Sequence, residues 1–206
     1  MTTPTPFEYG WKTLAKPYNY SYLAPLVCAL GKQLGARRVF DIGTGNGYAL
    51  PTWIKQGWTV CAMEPDAEGY KIAKTAEGAD VRQLGVGEEL PSEWRNAFDT
   101  VICMEVVEHL FDPHQLVQTT RDALQDDGYA IISTPYHGYL KNLALSLADK
   151  WDFHHHPLRV GGHVKFWSKP TLRALFEKGG FKAVSFHGAG RLPYLWNSMV
   201  WVFQKS

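Results

Sequence analysis

The chain has 206 residues, 45% of them apolar and 20% charged, which suits one folded domain and is too apolar for disorder. With 21 basic against 20 acidic side chains the formal charge is +1, which disfavours a broad basic face for nucleic acid. No apolar run approaches the roughly 18 residues that span a bilayer, and Met1-Thr-Thr-Pro-Thr-Pro6 lacks the basic and apolar parts of a secretory signal.

Helix and strand signals then alternate. Residues 21–34 place Tyr22, Leu23, Leu26, Val27, Leu30 and Leu34 on one helical face. Residues 38–43 form a short apolar run ending in glycine, which predicts a buried strand. A helix of about ten residues is expected from Tyr48, with Pro51 in its first turn and Gly57 as its stop. Residues 59–64 predict a second strand, Asp66 caps a helix to about Glu77, and residues 80–86 predict a weaker strand. Residues 100–104 read as a buried strand. Asp112-Pro113 opens a helix whose inner face is Leu116, Val117, Thr120, Ala123 and Leu124, with Gly128 as its stop. A strand follows at 129–133, then helical signal over 138–150. Ser168 caps a helix with Leu172, Leu175 and Phe176 inward, ended by Gly179-Gly180, before closing strands at about 181–187 and 199–204. The alternation predicts a parallel sheet with helices on both faces. Cys28, Cys61 and Cys103 have no metal or disulfide spacing, so free thiols in a reducing, cytoplasmic setting are expected.

Val39-Phe-Asp-Ile-Gly-Thr-Gly-Asn-Gly47 joins the first strand to the next helix. Its glycines permit tight turning and let a ligand approach the backbone at a helix N-terminus. A dinucleotide fingerprint would place its third glycine at position 48, where Tyr48 stands, so a pyrophosphate ligand and an NAD-dependent oxidoreductase are disfavoured. Glu64 ends the second strand and can accept both hydroxyls of a ribose, whereas helix capping suits Asp66 better. Loop and acid together point to a nucleoside.

These segments, with Val60-Cys-Ala-Met-Glu-Pro-Asp66 and Thr100-Val-Ile-Cys-Met-Glu-Val-Val-Glu-His-Leu110, resemble in order the motifs of class I S-adenosylmethionine-dependent methyltransferases. The resemblance spans about residues 35–190. It implies a Rossmann-like α/β fold, a seven-stranded, mostly parallel sheet with an antiparallel last strand. It implies that Gly43, Gly45 and Gly47 pass under the methionine part of the cofactor, with Asp41 near its amino group. Glu64 would hold the ribose and Gly85-Val86 border the adenine. Thr44, Asn46, Pro65, Asp66, Met104 and Glu105 complete the expected cofactor contacts. The whole chain then reads as one such domain, with residues 1–34 as an N-terminal cover and 137–167 as a substrate-side insertion.

Met104-Glu-Val-Val-Glu-His-Leu110 falls at the carboxyl end of the fourth strand, where open α/β sheets place their chemistry. Were this stretch helical, Glu105 and Glu108 would share a face, with His109 beside it. Such a group shifts its pKa values or binds Mg²⁺, Mn²⁺ or Zn²⁺; the plainer alternative is that Glu108 and His109 only orient the loop. Glu105-x-x-Glu108-His109, followed by Gly162-His-Val-Lys-Phe-Trp167, is similar to ubiquinone-pathway O-methyltransferases. It is also similar to small-RNA 2′-O-methyltransferases, in which two Glu and two His bind a divalent ion. That resemblance carries the ligand set Glu105, Glu108, His109 and His163 to this chain. Without a metal, His109 or His163 is the candidate catalytic base for a hydroxyl.

His154-His-His156 is expected on a polar pocket rim, because three adjacent histidines cannot all face one ion from a regular helix or strand. Tyr136, Tyr139, Trp151, Phe153, Phe166 and Trp167 are candidates for an apolar pocket wall, as is the segment Leu192-Pro-Tyr-Leu-Trp196. Tyr9, Trp11, Tyr18 and Tyr20 can close the cleft from the N-terminal side. The expected activity is O-methylation of a small molecule by a monomer or homodimer with no nucleic-acid partner. N-, C- or S-methylation and a non-catalytic nucleoside-binding module are the alternatives.

Overall fold

The computed structural model describes residues 10–155, 157–158 and 161–206. In chain order it runs α1 (Tyr20–Leu34), β1 (Arg38–Ile42), α2 (Leu50–Lys55), β2 (Thr59–Met63), α3 (Ala67–Ala73), β3 (Ala79–Arg82) and β4 (Phe98–Met104). It continues with α4 (His114–Ala123), β5 (Leu124–Pro135), α5 (Tyr139–Leu147), α6 (Trp151–His155), α7 (Lys169–Lys178), β6 (Phe181–Ala189) and β7 (Ser198–Lys205). The strands form a seven-stranded sheet in the order β3-β2-β1-β4-β5-β7-β6. Strand β7 runs antiparallel to both its neighbours, and the pairings among β1 to β5 are parallel. This is the expected sheet.

Side chains alternate across each strand, so two cores form. Phe40, Ile42, Cys61, Met63, Val101 and Cys103 face one way, under α4 and α7 through Leu116, Val117, Leu172 and Phe176. Val39, Val60, Ala62, Ile102 and Ile131 face the other, under α1 and α2 through Leu23, Val27, Leu30, Leu50 and Trp53. The continuous apolar runs of β1, β2 and β4 are what strands covered on both faces require. The three cysteines are free thiols, Cys61 and Cys103 buried and Cys28 partly so. No helix of the described residues is long and apolar enough to cross a membrane.

Several element ends differ from expectation. Helix α2 has six residues and starts at Leu50; Tyr48 lies in the turn before it. Helix α3 stops at Ala73, short of Glu77, while its Asp66 cap is as predicted, accepting from the Gly69 N–H at 2.8 Å. Strand β3 ends at Arg82 rather than Val86, because it is an edge strand and only β2 is there to pair with it. Helix α4 ends at Ala123, well before Gly128. Leu124 already pairs with Phe98, so Gly128 lies inside β5, beyond a register shift in the pairing with β4.

Candidate functional site

The carboxyl ends of β1, β2 and β4 open into a cavity of about 540 Å³, within the range of small-molecule sites. Of the predicted cofactor residues, Asp41, Gly43, Thr44, Gly45, Asn46, Glu64, Pro65, Val86, Met104 and Glu105 line it. Gly47, Asp66 and Gly85 do not, and each has a local reason. A Cβ on Gly47 would sit 2.7 Å from the Ala73 Cα, so this glycine lets the loop pack on α3. Asp66 is engaged as the α3 cap, and Gly85 lies against Glu88 and Pro65.

The acid after β2 holds the loop. Glu64 accepts from the Gly45 N–H at 2.7 Å and from the Asp66 N–H at 3.0 Å. Burial pushes its carboxyl up to about 7, against the pull of those two bonds. Asp41 accepts from Trp53 Nε1 at 3.0 Å and Thr44 Oγ1 at 3.1 Å, and burial raises it to about 6. Asn46 donates to the Thr13 and Ala15 carbonyls at 2.9 and 2.8 Å, which ties the N-terminal segment across the loop. Trp11, Tyr18 and Tyr20 line the cavity; Tyr9 lies outside the described residues. Asn19, Tyr22 and Leu110 also line it and were not anticipated, since they approach only through folding.

A carboxyl whose folded pKa lies above its unfolded value binds more protons when folded, so its contribution to stability falls as pH rises. For Glu64 the window runs from its ordinary 4.5 to about 7. Between pH 4.5 and 8, Glu64→Gln should therefore gain about 3 kcal/mol on the wild type. Denaturant unfolding of both proteins at pH 5 and 8 reads the difference; a gap independent of pH contradicts the burial of this charge.

The stretch after β4 does not form the helix that would put Glu105 and Glu108 on one face. Glu105 takes a left-handed backbone, φ 55°, with its N–H on the Ser133 carbonyl and hydroxyl, and only a single 3₁₀ turn, Val107–His109, follows. Glu105 and Glu108 consequently part. Glu105 accepts from Ser133 Oγ at 2.8 Å and Ser198 Oγ at 3.1 Å; burial raises it to about 7, more than those hydrogen bonds lower it. Glu108 is buried, accepts from Thr134 Oγ1 at 2.9 Å, and leaves Oε1 buried without a hydrogen bond. Burial, then the charge of Glu105, hold its carboxyl well above the ordinary value. Its backbone carbonyl accepts from the N–H groups of Val164 and Lys165, which draws His163 to the site.

The ligand atoms of Glu108, His109 and His163 all lie within 4.8 Å of one another, and both histidines line the cavity. Glu105 is not in this group, so three of the four expected ligands converge. His109 Nδ1 lies 3.2 Å from the Gly162 carbonyl, which can only accept, so in the neutral ring Nε2 carries the lone pair. That Nε2 is 4.0 Å from Glu108 Oε1. Ser133, Thr134 and Ser198, which position the two glutamates, were missed because their sequence spacing from Glu105 carries no signal.

The insertion supplies less of the cavity than expected. Of residues 137–167, His163 is the described residue that lines it. Tyr136 and Trp167 are buried in the core, while Tyr139, Trp151, Phe153 and Phe166 are exposed and do not line it; neither does the segment 192–196. His154 and His155 likewise meet His137 rather than the cavity, and His156 lies outside the described residues.

Comparison with known proteins agrees with this architecture. A family model described as a methyltransferase domain matches residues 16–185. A ubiquinone biosynthesis O-methyltransferase of Caulobacter sp. (strain K31) is 34% identical over 113 residues, 53% of this chain and 44% of that protein. The chain thus spans less than half the length of the first curated relatives it matches. Among solved structures, magnesium protoporphyrin IX methyltransferase from Synechocystis PCC 6803 with bound SAH has a TM-score of 0.68 at 15% identity, covering 89% of this chain and 82% of that one. The 1,6-didemethyltoxoflavin-N1-methyltransferase of Burkholderia thailandensis has a TM-score of 0.65 at 18% identity, covering 88% and 77%. At such identities the structures establish the fold, and the reacting atom is a separate matter. On the family match over most of its length and on its sheet order, the chain belongs to the methyltransferase-domain family, in its class I S-adenosylmethionine-dependent form.

Proposed function

We propose that the protein transfers a methyl group from S-adenosylmethionine to a hydroxyl of a small molecule. One observation carries this reading: a single cavity joins the glycine loop and Glu64 to the Glu108–His109–His163 group. The residues fit the cofactor, since a buried acceptor pair on Glu64 faces a glycine-lined space large enough for a nucleoside. When bound, S-adenosylmethionine supplies an electrophilic methyl group on a sulfonium sulfur.

The chain's part is alignment, proton handling and exclusion of water. Glu64 is the acceptor for the ribose hydroxyls, Asp41 sits on the amino-acid side, and Met104 and Val86 give apolar contact. Trp11, Tyr18 and Tyr20 cover the cleft. His109 takes the acceptor's hydroxyl proton at Nε2, because Gly162 holds the hydrogen on Nδ1. The imidazolium so formed lies 4.0 Å from the otherwise unmatched Glu108 Oε1, and its charge favours ionisation of a carboxyl that burial holds protonated. The names of the O-methyltransferase relatives support oxygen as the nucleophile.

That orphaned oxygen also favours a second reading, in which Glu108, His109 and His163 hold Mg²⁺, Mn²⁺ or Zn²⁺. Such an ion would favour the oxyanion of the acceptor. Transfer of isotopically labelled methyl to a panel of phenols and catechols tests the function. His109→Ala should lower the rate at least about 100-fold while leaving S-adenosylhomocysteine affinity unchanged. Full activity after exhaustive chelation removes the metal reading and retains His109 as the base. Cofactor binding without transfer to any acceptor would favour a non-catalytic module.

A further inference from the structure

A second group of histidines lies apart from the methyl-transfer cavity. As β5 ends, the chain turns at His137, which is buried and whose backbone N–H donates to the Trp167 carbonyl. Helix α6 brings His154 and His155 to the same place. The ligand nitrogens of His137, His154 and His155 all lie within 4.8 Å of one another. His154 and His155 were expected on a pocket rim; among the described residues, folding groups them with His137, 17 residues before His154.

Packing holds the rings. Trp151 stacks on His155 with centroids 4.7 Å apart, and Phe166 meets His137 and His155 edge-on at 5.0 and 4.8 Å. Within this apolar frame His155 Nε2 is buried without a hydrogen-bond partner. A polar atom left that way is destabilising unless something else satisfies it. Asn142 Oδ1 is also buried without a partner in hydrogen-bond geometry, and Asn142 acts on His137. A carbonyl oxygen beside a ligand imidazole is the usual device that fixes its tautomer.

We propose that His137, His154 and His155 bind one transition-metal dication of the Zn²⁺ class, at a site separate from the methyl-transfer cavity. Three neutral imidazoles without a carboxylate suit Zn²⁺, Ni²⁺ or Cu²⁺ and do not suit Mg²⁺ or Ca²⁺, which require oxygen. Tetrahedral Zn²⁺ with bonds of about 2.0–2.1 Å needs ligand nitrogens about 3.4 Å apart, so the ring nitrogens, now within 4.8 Å of one another, would draw together on binding. Water completes the fourth position. The Lys141 ammonium, which donates to the Tyr136 carbonyl at 2.9 Å, acts electrostatically on His137 and His155 and opposes a cation there, so the three imidazoles must outweigh it. A bound ion would clamp α6 to the end of β5, and so brace the insertion from which His163 reaches the cavity.

The test is calorimetric titration of tag-free, chelator-stripped full-length protein with Zn²⁺, and Co²⁺ absorption as a report of tetrahedral geometry. The His109→Ala/His163→Ala variant should retain one site with wild-type affinity. The His154→Ala/His155→Ala variant, whose side chains are only partly buried, should bind that ion at least about 100-fold more weakly. It should keep the wild-type circular dichroism spectrum in chelator. Zinc binding undiminished in the His154→Ala/His155→Ala variant overturns the proposal, as does loss of all binding in the His109→Ala/His163→Ala variant.

Discussion

Gly47→Val should abolish measurable cofactor binding and destabilise the fold by about 3 kcal/mol or more. Gly47 has φ 73°, which a β-branched residue adopts only with strain. Its Cβ would also fall 2.7 Å from the Ala73 Cα and 2.9 Å from the Ala73 Cβ, contacts that no side-chain rotation relieves. Helix α3 must then move, and it is capped by the Asp66 whose N–H donates to Glu64. The damage therefore travels from packing to Glu64, the proposed ribose acceptor. Gly57→Ala is the control, because Gly57 has φ 83° with open space around its Cβ position. It should lower stability by about 1–2 kcal/mol and leave binding alone. Denaturant unfolding and calorimetry with S-adenosylhomocysteine measure both effects; wild-type affinity in Gly47→Val would dissolve the link between loop packing and ligand.

Glu64→Ala is the second large effect, expected to weaken S-adenosylhomocysteine binding about 100-fold. Two hydrogen bonds to a charged acceptor contribute about 1.5–3 kcal/mol each, and part of that is regained by water in the vacated space. Stability should change much less at neutral pH, since the variant loses two loop contacts but also removes a buried carboxylate. A loss of affinity with a nearly unchanged unfolding midpoint is thus the signature of a ligand acceptor. Equal losses in both would make Glu64 a structural brace, and unchanged affinity would remove it from the site.

Local chemistry made much of the molecule legible. The apolar runs of β1, β2 and β4 announce strands covered on both faces, and the Asp66 and Ser168 caps mark helix starts that the fold keeps. Short-range signals were weaker where an element ends for a tertiary reason. Gly128 looks like a helix stop, yet pairing of Leu124 with Phe98 ends α4 earlier, and β3 stops where its single neighbour stops supporting it.

The sequence by itself determined the sheet with its glycine loop and the acid beyond β2, because spacing of a few residues along one chain sets those features. Only the tertiary structure decided how the charged groups combine. Ser133 and Ser198, 28 and 93 residues from Glu105, draw its carboxylate away from the histidines, and Val164 and Lys165 bring His163 to Glu108. His137 joins His154 and His155 in the same way. Each of these meetings depends on which strands and loops become neighbours, and a buried polar group takes whatever partner that packing supplies.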